Sequence, residues 1–267
     1  MRNGNHWCKH HLKGHVKCAY YEVADLSPAA GRWVENGRRP LKTILFNEHG
    51  YVTKELLYDL DGRLSQVGST EYDANGNKIK VLFQNPRGVV LSVRVYEYDD
   101  AGLLVECVST EARGPITRER CTPLYDQSGN RIEEVWCYDD ATPSRKYVYR
   151  YYPTGQIAKQ VKYKYAGDGS IEEKWNSIYD ENGNIVQTVC CDDQGRTIAG
   201  PTRYKYDDDG VEIEGATFSL KGDLYSTTSY LYDFNVQRNW IKRLEIFRTI
   251  ESRFETRVVT YRALDCF

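Results

Sequence analysis

The chain contains a single methionine, and its 267 residues include no unbroken apolar run of about 18, the length that crosses a bilayer as a helix. A helical membrane span is therefore not expected. Net charge is nearly absent as well: 36 Lys and Arg oppose 38 Asp and Glu, for a formal charge of −2. That balance leaves no basic footprint for a phosphate backbone, and no nucleic-acid partner is expected. Met1 to Leu12 is basic but lacks the apolar core of a secretory leader. The expected location is the cytoplasm, or the cell exterior if a leader has been removed. Eight cysteines occur without framework spacing, which favours reduced thiols and leaves bridges to the exported case. There is no nucleophile elbow, phosphate-binding glycine loop or His-Glu-x-x-His, so no catalytic residue, cofactor or enzyme activity is assigned.

Tyrosine and glycine are abundant, with 22 and 21 copies, and they recur together. In Tyr179-Asp180-Glu181-Asn182-Gly183-Asn184-Ile185 an extended run ends on Tyr179, Asp180 folds back onto backbone amides, Gly183 takes a positive φ, and Ile185 opens the next run. The same turn is read at Gly50, Gly62, Gly76, Gly88, Gly102, Gly114, Gly129, Gly155, Gly169, Gly183, Gly195, Gly210 and Gly222, with spacings that mostly alternate between 12 and 14. Two series interleave, one starting at Gly50 and the other at Gly62. The second lacks one member, where Tyr138-Asp139-Asp140-Ala141-Thr142-Pro143 supplies a turn without glycine.

Each step leaves room for one strand of about eight to ten residues, giving about 14 to 16 strands. Alternating series put successive turns on opposite margins of an antiparallel meander. His15 to Val23 reads as the first strand, Ala24 to Pro40 as the longest loop, and Trp240 to Phe267 as two strands turning near Glu251-Ser252. Aromatic rings two residues apart, as at Tyr147/Tyr149/Tyr151 and Tyr204/Tyr206, share a sheet face. Cys107 and Cys121, equidistant from Gly114, are expected to oppose each other across a hairpin.

The recurring Tyr58-Asp-Leu-Asp-Gly62, Tyr72-Asp-Ala-Asn-Gly-Asn77, Tyr125-Asp-Gln-Ser-Gly-Asn130 and Tyr179-Asp-Glu-Asn-Gly-Asn184 resemble the YD repeat of the Rhs family. The ends, Leu12-Lys-Gly-His-Val-Lys17 and Arg238-Asn-Trp-Ile-Lys-Arg243, look like those of small stand-alone bacterial YD-repeat proteins. The resemblance implies an all-β antiparallel meander of hairpins forming a long, curved Rhs-like sheet strip over residues 12–267, preceded by a weakly ordered tail, residues 1–11. In large Rhs and Tc-toxin proteins such a strip encloses a toxin. This chain is too short for a closed cocoon and carries neither a self-cleaving segment nor a toxin domain after its last repeat.

Two groups of residues invite a metal reading. Cys8, His10, His11, His15 and Cys18 are dense in soft ligands, but their spacing matches no structural zinc site, and a tail running into a strand is the plainer reading. Acidic turns such as Asp59-Leu-Asp61 and Asp207-Asp208-Asp209 lack the distal Glu of a calcium loop, and Asp is what a tight turn favours. No metal site is assigned. The expected function is a non-enzymatic scaffold presenting a Tyr-rich sheet face, with Tyr149, Tyr163 and Tyr204 as candidate binding residues, to a protein partner. A glycan-binding or cell-surface role is the alternative, and an immunity or chaperone role for a linked toxin follows from the resemblance alone.

Overall fold

The computed structural model describes residues 6–267 apart from Ala101, Arg113 and Arg253, and the side chains of all of these except Cys8 and Lys9. A short helix α1 (His6–Lys9) precedes β1 (Val16–Ala29), β2 (Arg32–Glu35), β3 (Arg39–Phe46), β4 (Val52–Tyr58), β5 (Leu64–Tyr72), β6 (Lys78–Gln84), β7 (Val90–Tyr98), β8 (Leu104–Glu111) and β9 (Ile116–Tyr125). Then follow β10 (Arg131–Tyr138), β11 (Pro143–Tyr151), β12 (Ile157–Tyr165), β13 (Ile171–Tyr179), β14 (Ile185–Cys191), β15 (Thr197–Tyr206), β16 (Glu212–Phe218), β17 (Leu224–Phe234), β18 (Trp240–Thr249) and β19 (Glu255–Cys266).

From β3 to β19 every strand pairs antiparallel with the next, and β1 then bonds β19 on one edge and β2 and β3 on the other. The expected open strip is thus corrected to a closed antiparallel barrel. Its ring has 18 strands, because β2 continues the line of β3 along β1. A strip would leave two edges of unpaired N–H and C=O groups, and closure removes both. The seam is extensive: ten residue pairs join β1 to β19, from Val16↔Cys266 to Leu26↔Arg257.

The repeat places the turns as its spacing predicts. Twelve of the thirteen expected turn glycines have left-handed φ, between +75° and +90°, and Ala141 (+64°) and Arg238 (+60°) take that role where glycine is missing. The Gly50 series lies on one rim and the Gly62 series on the other. Gly114 is the exception, with no positive φ. Around it Glu106 pairs with Arg120 and Cys107 with Glu119, so the hairpin centre is displaced and the expected Cys107–Cys121 opposition is corrected. Both thiols are free, buried beside Trp136 on one face.

Two further expectations are corrected. The long loop from Ala24 to Pro40 is mostly strand, with β1 running on to Ala29 and turning through Ala30 and Gly31 into β2. Pro28 is accommodated there in the short β1–β2 ribbon. In the expected tail, residues 6–9 form α1 and Trp7 is buried, while residues 1–5 lie outside the described residues.

Five repeat tyrosines tie neighbouring strands at the Gly50 rim. Tyr72, Tyr98, Tyr151, Tyr206 and Tyr232 each donate the phenol hydrogen to a carbonyl at the start of the preceding strand, those of Val52, Lys78, Arg131, Ile185 and Glu212, at 2.6–2.9 Å. The Asp after the tyrosine caps the turn. Asp180 Oδ1 accepts from the amides of Asn182 (3.0 Å) and Asn184 (2.8 Å), and Asn184 Nδ2 donates to Asp180 Oδ2 at 3.0 Å. The equivalent Asn77 and Asn130 side chains hold the carboxyls of Asp73 and Asp126 below their ordinary range. These acids are occupied by their own turns.

Candidate binding lumen

Strand pairing assigns each side chain to one wall, since directly paired residues share a face. Following partners from Tyr21 through Arg262, Thr260 and Arg243 reaches Tyr232 on β17, and from Tyr21 through Ala19, Ile44 and Glu55 reaches Gly68 and Phe83 on β6. Residues 6–13 lie against this same face and touch strands far apart around the ring. His6 is edge-on to Tyr51 and Tyr72 at 5.7 and 6.0 Å, while Lys13 reaches Asn239 and Asp209. A segment that short spans them only from the concave side, so this face is the lumen wall.

Contacts to both main chain and side chains hold the segment. His6 N donates to Gly50 O (2.8 Å), and His6 Nδ1 accepts from Val52 N (3.1 Å). Trp7 Nε1 donates to Val16 O at 2.7 Å, and Arg262 Nη1 donates to His10 O at 3.0 Å. Asn239, which is fully buried, clamps Lys13 from both sides: its Oδ1 accepts from Lys13 N at 2.6 Å and its Nδ2 donates to Lys13 O at 3.0 Å. Trp7 and Leu12 close over Val16, Ala19, Tyr21, Ile44, Phe46 and Trp240 to form the larger core.

The candidate tyrosines separate. Tyr149 pairs with Gln160 and leads through Ser177 and Thr188 to Thr202, two residues before Tyr204, so Tyr149 and Tyr204 share the lumen wall. Tyr163 pairs with Lys146 and Lys174 and faces outward, with Lys174 Nζ 5.6 Å from its ring centroid. Tyr149 donates to Glu134 Oε1 at 3.1 Å, and burial followed by the Glu134 charge drives its phenol strongly up. Glu134 also pairs with Arg131, and Arg145 spans both oxygens of Glu119 at 2.7 and 2.8 Å while lying 4.4 Å from the centre of the Trp136 ring. Burial pushes the Cys121 thiol up to about 11 and raises that of Cys107, which keeps both protonated and poorly nucleophilic.

The sequence reading missed the segment's own histidines as wall contacts. Of the residues that invited a metal reading, His10 packs edge-on to Phe46 at 5.7 Å, His15 packs on Trp7 at 5.1 Å, Cys18 faces the other wall, and the Cys8 side chain lies outside the described residues. Among the described residues no group of three or more His, Cys, Asp or Glu is placed to hold a metal ion.

His10 is held neutral. Burial, then the charges of Lys42, His6, Arg262 and His11, lower its pKa from 6.5 to about 4. The unfolded chain therefore takes up a proton between those values that the folded chain refuses, so this contribution to stability is complete above pH 6.5 and is lost as pH falls towards 4. His11 is lowered by burial too and acts in the same direction. The melting temperature is expected to fall between pH 6.5 and 5, and His10→Gln to flatten that slope. Parallel pH profiles for the two proteins would show that His10 is not desolvated.

The outer wall differs in kind. Aliphatic pairs such as Leu56↔Val67, Leu82↔Val93 and Val148↔Val161 form patches up to three positions high, as at Leu91, Val93 and Val95. Ion pairs bound them: Lys80–Glu71 (3.2 Å), Arg120–Glu106 (2.8 Å), Lys146–Glu133 (2.8 Å) and Lys205–Glu214 (2.7 Å).

No known family profile matches the sequence, and no curated protein does. Solved structures do. A porin-like protein from Bacteroides uniformis is 12% identical, covers 94% of this chain and 98% of its own, and superposes with a TM-score of 0.47. A porin-like protein from Bacteroides vulgatus is 11% identical, with coverage of 96% and 99% and a TM-score of 0.31. A Tc holotoxin pore from Photorhabdus luminescens is 12% identical over 88% of this chain but only 14% of its own, with a TM-score of 0.37. These likenesses assign no activity. One expectation is corrected by the fold: no described helix is long and apolar enough to cross a membrane, but a closed barrel can cross with strands. The cytoplasmic expectation, drawn from missing leader and helix, therefore does not hold.

Proposed function

We propose that this is a non-enzymatic barrel, built from YD-type repeats, whose lumen wall binds a short polypeptide segment. The supporting observation is the chain's own residues 6–13, whose main chain the wall already holds through Gly50, Asn239 and Arg262. Such contacts read main chain and tolerate sequence, while the aromatic wall of Tyr21, Phe46 and Trp240 accepts apolar anchors such as Trp7. Chemistry is disfavoured by the state of the wall. Its carboxylates Glu119 and Glu134 are paired with arginines, and its thiols are protonated.

The barrel works in water. A lipid-facing band is about 25 Å tall, and Lys or Arg at its midplane costs about 2–4 kcal/mol. The tallest outward apolar patch, Leu91 to Val95, rises only about 13 Å at 3.3 Å per residue, and the ion pairs lie where hydrocarbon would have to be.

A labelled peptide of residues 2–14, titrated against a chain carrying Trp7→Ala to loosen its resident segment, tests the lumen reading. Saturable binding, competed by unlabelled peptide and much weaker with the unmodified chain, is expected. A folded Trp7→Ala chain that shows no saturable binding would sink it.

A further inference from the structure

Behind the resident segment, the lumen wall holds more cationic donors than acceptors for them. Arg262 is 3% exposed, with its Cζ 3.9 Å from the Trp240 ring centroid. Its Nε donates to Trp240 O (2.8 Å) and its Nη1 to His10 O (3.0 Å), but its buried Nη2 lacks a hydrogen-bond acceptor. Arg243 approaches Trp240 and Tyr230 at 5.9 and 5.4 Å, and its buried Nε also lacks one. Among the described residues these are the two buried side-chain polar atoms without a partner. Native folds seldom leave such donors bare, because each forgoes the water it gave up.

Arg243 lines a cavity, and Arg262 stands one layer behind it. That cavity, of about 320 Å³, opens between His10 and His11 of the segment and wall residues Lys42, Arg243, Tyr230 and Trp240, with Arg262 behind Trp240 and His10. Lys42 adds an ammonium group, held 5.0 Å from the Tyr21 ring centroid. Two acids oppose these cations. Glu245 accepts from Arg243 Nη2 at 3.4 Å, and Glu212, which lines the cavity, has its pKa raised by burial, with Glu245 adding to the rise against the pull of Arg243. Positive charge remains in excess, inside walls that exclude much of the screening water.

We propose that this cavity is a binding site for a small oxyanion, a phosphate or carboxylate group, with the Arg243 guanidinium and Lys42 Nζ as its direct ligands and Arg262 as the buried charge behind it. Guanidinium and ammonium donors set around aromatic rings match the planar or tetrahedral oxygens of such a group. The site does not depend on the segment-binding reading, since its ligands come from the wall.

The test is calorimetric titration of the intact chain at pH 7 with inorganic phosphate and, separately, with acetate. Saturable one-to-one binding of either anion is expected, and the anion that binds tells phosphate chemistry from carboxylate chemistry. K42Q and R243Q are each expected to weaken it about tenfold or more, as for loss of one charge-assisted contact. R203Q, on the outer wall, is expected to leave it unchanged. The bound anion should also raise the melting temperature of the unmodified chain, a result that needs no variant. Absence of saturable binding by both anions, or binding undiminished in K42Q and R243Q, would overturn the site.

Discussion

Gly200→Ala is expected to cost more than about 3 kcal/mol, beyond the usual range for adding one methyl group. A Cβ at this position would lie 1.6 Å from Phe218 O, 2.5 Å from Phe218 C and 2.8 Å from Ser219 O. All three are backbone atoms of the neighbouring strand and its turn, so no rotamer change relieves the overlap. The ladder would have to open between β15 and β16, where Thr202 pairs with Thr217. Gly195→Ala is the comparison, because its φ is +81° but nothing lies within 4 Å of an added Cβ. It should lose only about 1–2 kcal/mol of left-handed strain. Urea melts of the two variants measure the difference, and equal midpoints would mean that the strands do not approach so closely at Gly200.

Trp7→Ala is expected to cost about 3–5 kcal/mol, as large-to-small changes in a packed core do. Trp7 is 7% exposed, packs in the larger core and donates from Nε1 to Val16 O. Its loss should also free the segment it anchors, so trypsin should cut at Lys9 or Lys13 before any wall strand. Trp175, 39% exposed on β13, should lose far less when changed to Ala. If Trp7→Ala melted with the unmodified chain and its N-terminus stayed resistant, the segment would owe its place to Asn239 and Arg262 instead.

The candidate site was legible only in part. Tyr149 and Tyr204 could be named because aromatic alternation shows in a strand, but nothing local distinguishes the concave wall from the convex one. Tyr163 shows the limit, since it follows the same alternation in β12 and its rung beside Lys146 turns it outward. Asn239 and Arg243 fell inside the Arg238–Arg243 stretch that resembles a repeat-protein end, which pointed to no site, and Arg262 carried no signal at all. They come from the last two strands and the turn before them, and they meet residues 6–13 only because closure brings the two ends of the chain together.

What the sequence by itself determined is local. A turn such as Asp180 to Asn184 is complete within five residues, its glycine φ and its Asx hydrogen bonds need no distant partner, and so rim positions, strand direction and the two-sided alternation follow from the repeat. The tertiary structure alone decided that the meander closes, because closure depends on the summed twist of all the strands and on the long seam between β1 and β19, which no single repeat contains. That same non-local step created an inside, and with it the wall, the resident segment and the cationic cavity.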